Sequence, residues 1–338
     1  MPMERKRNIC QVTRIAPPVC LIVQPIHSAG IQRLQDQGLQ PVTDGVAVDP
    51  SHVVAAITRN AGFSAARMEA LPCLRVIAVH GVGYDPVDVE AATRSGIAIT
   101  NTPGANERSV AEQAIALLFA LAKQVVGADA AVRAGDFGFK YSADLVELAG
   151  LTMGLAGFGP IGQQTAALGR ALGMRVVACS RYQPDAVFER LGVDRLPTLE
   201  AVLRASDAVS LHMPANDATR NAIGRTQLAL MKPTAFLINT GRGDTVDEEA
   251  LVNALKTGRI RGAGLDVFRR EPLTADHPLR SLKNVVLSPH VAGSTEASLQ
   301  RTAVAAADCA LSVLAGQRPD TLVNASVWPS RRLPQQQI

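Results

Sequence analysis

Cysteine is scarce and scattered: Cys10, Cys20, Cys73, Cys179 and Cys309 are the only five in 338 residues, and no two form a Cys-x-x-Cys pair. An odd, dispersed set argues against a disulfide framework or a thiolate metal site and fits reduced thiols in a cytoplasm. Aromatic residues make up 4% of the chain, with a single Trp. The basic residues are neither clustered nor interleaved with aromatics, so no nucleic-acid surface is expected. The net charge of +4 is spread along the chain and gives a diffuse attraction for anionic ligands. No apolar run reaches the roughly 18 residues of a membrane helix. Residues 1–14 are basic but are not followed by the apolar core and cleavage site of a secretory signal, and they read as a disordered arm. His27, His52, His80 and His277 show no metal-ligand spacing and read as structural. Neither nucleic acid, membrane nor metal is expected as a partner.

What is abundant is core. Hydrophobic residues account for 47% of the chain, enough for about two domains. Apolar runs alternate with helical patterns in both halves. Strands are expected at 19–23 and 75–79, helices at 29–37 and 86–94, and a helix or a strand at 53–58. A long apolar helix over 109–126 follows, whose face of Ala111, Ala114, Ile115, Leu118, Leu121 and Ala122 suits either the core or a subunit contact. Further strands are expected at 208–211, 235–238, 263–267 and 285–287. An Ala-rich helix over 295–315 comes next, then a loose tail containing Arg331, Arg332 and Gln335 to Gln337.

Between two α/β stretches stands Gly157-Phe158-Gly159-Pro160-Ile161-Gly162, with apolar Leu151, Met153, Leu155 and Ala156 before it and a helix-forming run, 163–172, behind. A strand, a glycine turn and a helix in that order make a dinucleotide site: Gly157 for the turn, Gly159 for close approach of a pyrophosphate, and Gly162 for helix-strand contact. The next strand, 174–179, ends at Ser180-Arg181, where a carboxylate for the adenosine ribose would ordinarily stand. A small hydroxyl and a planar guanidinium suit a 2′-phosphate, so NADP is the expected cofactor. The other reading is that Arg181 is solvated and NAD binds without a carboxylate contact.

Four motifs then occur in one order: 81–85 (Gly-Val-Gly-Tyr-Asp), 101–106 (Asn-Thr-Pro-Gly-Ala-Asn), 239–243 (Asn-Thr-Gly-Arg-Gly) and 288–293 (Ser-Pro-His-Val-Ala-Gly). On these residues the chain resembles the D-2-hydroxyacid dehydrogenases, most of all their phosphoglycerate dehydrogenase and hydroxypyruvate or glyoxylate reductase branches, from about residue 59 to 316. The resemblance implies two doubly wound parallel-sheet α/β domains. A Rossmann dinucleotide domain (106–294) would be inserted in a discontinuous flavodoxin-like substrate domain (1–105 and 295–338), with a cleft at the junction. It also implies a homodimer acting on a small 2-oxo or 2-hydroxy acid.

The chemistry of that reaction asks for a cation to hold the carboxylate and polarise the ketone, and an acid to protonate the forming alkoxide. Arg242, after the strand ending at Asn239, offers a bidentate fork; His290, fixed after a proline at the next strand edge, offers a ring that exchanges a proton near neutral pH. Glu271 matches the family carboxylate that orients the histidine. Taken singly, each would pass for an ordinary surface or core residue; in family order they point to a relay. The resemblance further assigns Asn239, Thr240, Gly241 and Gly293 to the cofactor, with His212-Met213-Pro214 and Thr219 under the adenosine ribose and pyrophosphate, and Asp266 at the nicotinamide carboxamide. It assigns Val82 and Gly83 to the substrate carboxylate through their N–H groups, and Arg59 to the distal end of the substrate.

The chain departs from the pattern twice. Where many relatives have Gly-x-Trp, it has Gly135-Asp136-Phe137-Gly138-Phe139, which bears on a subunit contact or the substrate pocket. It also stops soon after the last helix, so a C-terminal regulatory domain and serine feedback are not expected. Two alternatives remain beside a glyoxylate or hydroxypyruvate reductase. One is a phosphoglycerate dehydrogenase using NAD, against which the Ser180-Arg181 pair speaks. The other is a dinucleotide-sensing corepressor, which would call for extended disordered tails.

Overall fold

The computed structural model describes residues 17–333, so the arm expected at 1–14, Cys10 and the end of the tail lie outside the described residues. The chain forms two compact units: one runs to Thr102 and resumes at Thr302, and the other is Pro103–Arg301. The boundaries expected from sequence, 105/106 and 294/295, lie three and seven residues from these.

In the first unit β1 (Val19–Ile22), β2 (Gln40–Thr43), β3 (Val53–Thr58), β4 (Val76–Val79) and β5 (Ala98–Thr100) form a parallel sheet in the order β2-β1-β3-β4-β5, with α1 (Ser28–Asp36), α2 (Ala65–Glu69) and α3 (Val89–Arg94) between strands. A parallel sheet must be covered on both faces. Leu21, Phe63, Met68, Ile77 and Ile99 pack on one. On the other, Cys20, Ile57, Val76 and Ala98 meet Ala306, Ala307 and Ala310 of the last helix, Glu296–Leu314. That double burial makes β3 a strand, where periodicity left helix and strand open. Burial also pushes the Cys20 thiol up to about 12, which keeps it protonated and unreactive.

The segment up to residue 333 belongs to this unit, so Arg331 and Arg332 are held where a loose tail is expected; Gln335 to Gln337 lie outside the described residues. Arg332 donates to the carbonyls of Leu71, Pro72 and Leu74, and Arg331 lies 4.0 Å over the Trp328 ring. Buried Asn324 accepts from Ile99 N–H and donates to Thr93 and Ile97. Fully buried Val327, with Leu322, Val323 and Trp328 packed on the cores, shares the work with these polar bonds.

The second unit begins with α4 (Glu107–Ala122), α5 (Val125–Arg133) and α6 (Phe139–Ser142). The single helix expected over 109–126 is two helices, because Gln124 adopts a left-handed φ of 48° that ends the first. The apolar face of α4 is buried against Met153 and Leu155, so it serves the core of its own unit. Among the described residues no single helix is long and apolar enough to cross a membrane; α4 and α5 pass on composition only as a pair bent by 55°.

There follow β6 (Thr152–Ala156), α7 (Pro160–Ala171), β7 (Arg175–Cys179), α8 (Asp185–Leu191), β8 (Asp194–Arg195), α9 (Leu199–Ala205), β9 (Ala208–Leu211), α10 (Arg225–Leu230), β10 (Phe236–Asn239), α11 (Glu248–Lys256), β11 (Gly262–Leu265), β12 (Val285–Leu287) and α12 (Glu296–Leu314). The parallel sheet runs β12-β11-β10-β9-β6-β7-β8. Counted from β6 as the first strand, this is the doubly wound order 3-2-1-4-5-6 with one strand added. The order reverses between β6 and β9, which is where such sheets bind ligands at their C-terminal edge.

Candidate active site

The glycine turn sits at that reversal. Gly157, at φ 100°, leaves no room for a side chain: a Cβ there would lie 2.5 Å from the His212 carbonyl oxygen. A Cβ on Gly162 would lie 2.5 Å from the Gly157 oxygen, so the first turn of α7 packs directly on the loop. Gly159 caps α7, and the space beside it is open, with nothing within 4 Å of a built Cβ. Two tight glycines and one open one at the start of a 12-residue helix make a cradle of free N–H groups that fits a pyrophosphate. Pro160 takes the first helical position, which needs no N–H, and Phe158 is buried.

Around this cradle two buried polar atoms, His212 Nδ1 and Thr240 Oγ1, have no partner among the described residues. Burial holds the His212 imidazole down to about 4, so it is neutral, and its Nε2 lies 3.0 Å from Ser210 Oγ. Thr219 Oγ1 donates to the Pro214 carbonyl at 2.6 Å and closes the loop that starts at His212 and Met213. Asn239 shapes the next turn, accepting from Gly241 N–H and donating to the Arg242 carbonyl. At the end of β7, Ser180 Oγ accepts from the N–H groups of Tyr182 and Gln183 at 3.3 and 3.4 Å, while Arg181 is exposed.

The three candidate catalytic residues come together in this unit. His290 Nδ1 lies 2.8 Å from Glu271 Oε2, and the other carboxylate oxygen of Glu271 accepts from Phe268 N–H at 3.0 Å. Partial burial pushes the Glu271 carboxyl up. The bonds from His290 and Phe268 and the charges of His290 and Arg242 outweigh that, and the group ends below the usual carboxylate range. Arg242 is therefore close enough to act on Glu271 electrostatically; its Nη1 donates to Gly241 O at 2.8 Å. Gly243 brings the two loops together, since a Cβ there would stand 2.0 Å from the Phe268 carbonyl carbon. Beside the pair lies a cavity of 530 Å³ walled by Phe268, Leu273, Leu287 and Pro289.

His290 has a φ of 53°, a conformation that costs a non-glycine residue energy and needs support. The support is Asp266, fully buried after β11. Its backbone oxygen accepts from His290 N–H at 2.8 Å. Its carboxylate accepts from Ser288 Oγ at 2.5 Å and from the N–H groups of Val291 and Ala292 at 3.0 and 2.8 Å. From α4, Gln113 donates to Ser288 Oγ and Ser109 to Ala292 O. The carboxylate expected at the nicotinamide thus also clamps the histidine loop, and Gln113 and Ser109, which no motif marks, brace that clamp. Gly293 lies against Asn106, whose Nδ2 would be 3.1 Å from a Cβ.

Arg59, Val82 and Gly83 belong to the other unit. Arg59 follows β3; its guanidinium donates to Pro25 O at 3.2 Å, and burial pulls its pKa down. Thr102 Oγ1 and Asn101 hold the turn after β4, and the N–H groups of Val82 and Gly83 find no partner among the described residues. No group of three or more His, Cys, Asp or Glu fit for a metal occurs among the described residues.

Residues 115–292 match the model of the D-isomer specific 2-hydroxyacid dehydrogenase NAD binding domain. The chain is 46% identical over 267 residues to a glyoxylate reductase of Aeropyrum pernix, covering 77% of this chain and 79% of that one. It is 36% identical to a D-3-phosphoglycerate dehydrogenase of Methanocaldococcus jannaschii, over 93% of this chain and 60% of the relative. Its fold superposes with a TM-score of 0.82 on an NADPH-dependent glyoxylate/hydroxypyruvate reductase of Sinorhizobium meliloti, solved with NADP and malonate, at 33% identity over 94% of this chain and 99% of that one. With the doubly wound order, the glycine cradle and the histidine-glutamate pair in place, these likenesses make the chain a member of the D-isomer specific 2-hydroxyacid dehydrogenase family, oxidoreductases that carry an NAD-binding domain.

Proposed function

We propose that the protein reduces a small 2-oxo acid, glyoxylate or hydroxypyruvate, to the D-2-hydroxy acid with NADPH as the preferred cofactor. The observation that carries this reading is the His290–Glu271 pair at 2.8 Å with Arg242 acting on it. A bound dihydronicotinamide supplies the hydride. Because Nδ1 of His290 is engaged by an ionised carboxylate, Nε2 holds the proton that passes to the ketone oxygen as it becomes a hydroxyl. Arg242 offers two parallel N–H donors to the substrate carboxylate and polarises the ketone. In the oxidative direction Nε2 takes the proton back. For the other unit we propose that the Val82 and Gly83 N–H groups and Arg59 are ligands of an anionic group.

The test is steady-state turnover of glyoxylate, hydroxypyruvate and 3-phosphoglycerate with both cofactors. Reduction of either 2-oxo acid with a higher kcat/KM for NADPH is the expected result. Oxidation of 3-phosphoglycerate with NAD in preference to both would overturn it in favour of the phosphoglycerate dehydrogenase reading.

The proton relay has a pH signature. Reduction takes its proton from the ring of His290, so the reductive rate falls on the alkaline side. Glu271 stays ionised until pH falls below the usual carboxylate range, and throughout that window its charge favours imidazolium. Glu271→Gln removes the charge, and the alkaline limb of the kcat/KM profile for reduction should move down by about 1 pH unit or more. An unmoved limb would take Glu271 out of the relay.

We also propose a homodimer in the cytoplasm. Val125, Val126, Val132, Phe137, Tyr141 and Leu145 are all more than half exposed within one short stretch, an apolar surface that suits a second copy. The cytoplasmic location rests on the scattered cysteines.

A further inference from the structure

At the C-terminal edge of the second sheet one cation has no part in the relay or the glycine cradle. Arg195 on β8 stands opposite Ala178 in the ladder, two residues before Ser180. Its Nη2 donates to the Ser180 carbonyl at 3.1 Å, its Nη1 pairs with Asp185 Oδ1 at 2.5 Å, and its guanidinium lies 5.1 Å from the centre of the Phe188 ring. Phe188 packs on Phe158, inside the glycine turn, with ring centroids 4.5 Å apart. A column of side chains therefore runs from the pyrophosphate cradle to the Ser180 turn, and Arg195 is its end. The arginine side chain is 35% exposed, so it meets solvent at that edge rather than being sealed in the core.

The Ser180 turn needs such a partner. Its own hydroxyl holds it through two long bonds, 3.3 and 3.4 Å, and both Arg181 and Tyr182 project into solvent. A two-point contact between a guanidinium and a phosphate demands fixed geometry, and long bonds in an exposed turn do not supply it. A donor rooted in the sheet does.

We propose that Arg195 is a specificity-determining positioning residue for the phosphorylated dinucleotide: it fixes the Ser180 carbonyl, and with it the backbone of Arg181, and places a second guanidinium at the edge that receives the 2′-phosphate. This inference rests on the NADP reading above. Asp185, paired with Arg195, balances part of its charge. A cofactor without the 2′-phosphate has nothing at this edge for either arginine to hold, so the effect of Arg195 is confined to the phosphorylated form.

The experiment is Arg195→Gln, read as KM for NADPH and for NADH with a saturating 2-oxo acid, and as inhibition by adenosine 2′,5′-bisphosphate and by 5′-AMP. KM for NADPH and the inhibition constant of the bisphosphate should rise about tenfold, while NADH, 5′-AMP and kcat change less than about twofold. An equal loss with both cofactors would make Arg195 a structural staple, and an unchanged NADPH preference would make it a bystander; either overturns the proposal. Should Arg195→Gln fail to fold, Arg195→Lys keeps the charge but loses the fork. It should weaken NADPH by a smaller factor with NADH intact, and no split between cofactors would again overturn the proposal. A wild type that prefers NADH would instead refute the NADP reading itself, which separates the two failures.

Discussion

Replacing His290 by Asn lowers kcat for 2-oxo acid reduction by about 10² to 10⁴, the usual worth of a positioned acid, and leaves the dissociation constant of NADPH within about twofold. Asparagine is the informative replacement, since residue 290 has a φ of 53°, and asparagine tolerates the left-handed region where alanine would add backbone strain. The N–H groups that Asp266 holds are backbone groups and survive the change, so the loop keeps its shape and only the proton donor is lost. Kinetics with cofactor binding by fluorescence titration check this. A variant with full activity would show that another group donates the proton. A variant that loses cofactor binding in parallel would show that the histidine loop is part of the nicotinamide site and not only of the relay.

The second large effect lies at the other end of the dinucleotide. Ser180→Asp should reverse cofactor preference. The serine hydroxyl accepts from two N–H groups of its own turn, and an aspartate oxygen can accept from the same two, so the turn is preserved. Its second oxygen then faces the 2′-position. There it repels a phosphate at a cost of about 2 kcal/mol or more and accepts from the ribose hydroxyls of NAD. Measured as kcat/KM for both cofactors, wild type should favour NADPH and the variant NADH. A wild type already favouring NADH would show that Ser180 and Arg181 do not select the 2′-phosphate.

Much of this site was legible because its chemistry is written locally. The glycine turn announces itself through three glycines whose steric reasons differ, and β9 and β12 fall at 208–211 and 285–287, where short apolar-rich runs place them. Motif order makes Arg242, Glu271 and His290 the candidates, yet nothing local tells that Gly243 must be glycine. The obstacle is the backbone of Phe268, 25 positions on, and only the fold brings it there. Arg195 hid for the same reason: β8 is two residues long and carries no period. β2 escaped because half-exposed Gln40-Pro41-Val42-Thr43 at a sheet edge has no buried face to pattern. The break at Gln124 was invisible because apolar residues continue across it at helical spacing, while the left-handed residue that ends α4 is an ordinary glutamine.

The return of the chain at Thr302 governs the order in which the protein can be made. During synthesis the first five strands leave the ribosome early, but the face of Cys20, Ile57, Val76 and Ala98 waits for Ala306, Ala307 and Ala310, and Leu71 and Leu74 wait for Arg332. At roughly 5–20 residues per second, the intervening Pro103–Arg301 takes on the order of ten seconds or more to emerge. The inserted unit is contiguous and can complete its sheet while the amino-terminal one still shows an open apolar face to chaperones. A premature stop near residue 300 would therefore spare the dinucleotide unit and strand the part of the protein that was translated first.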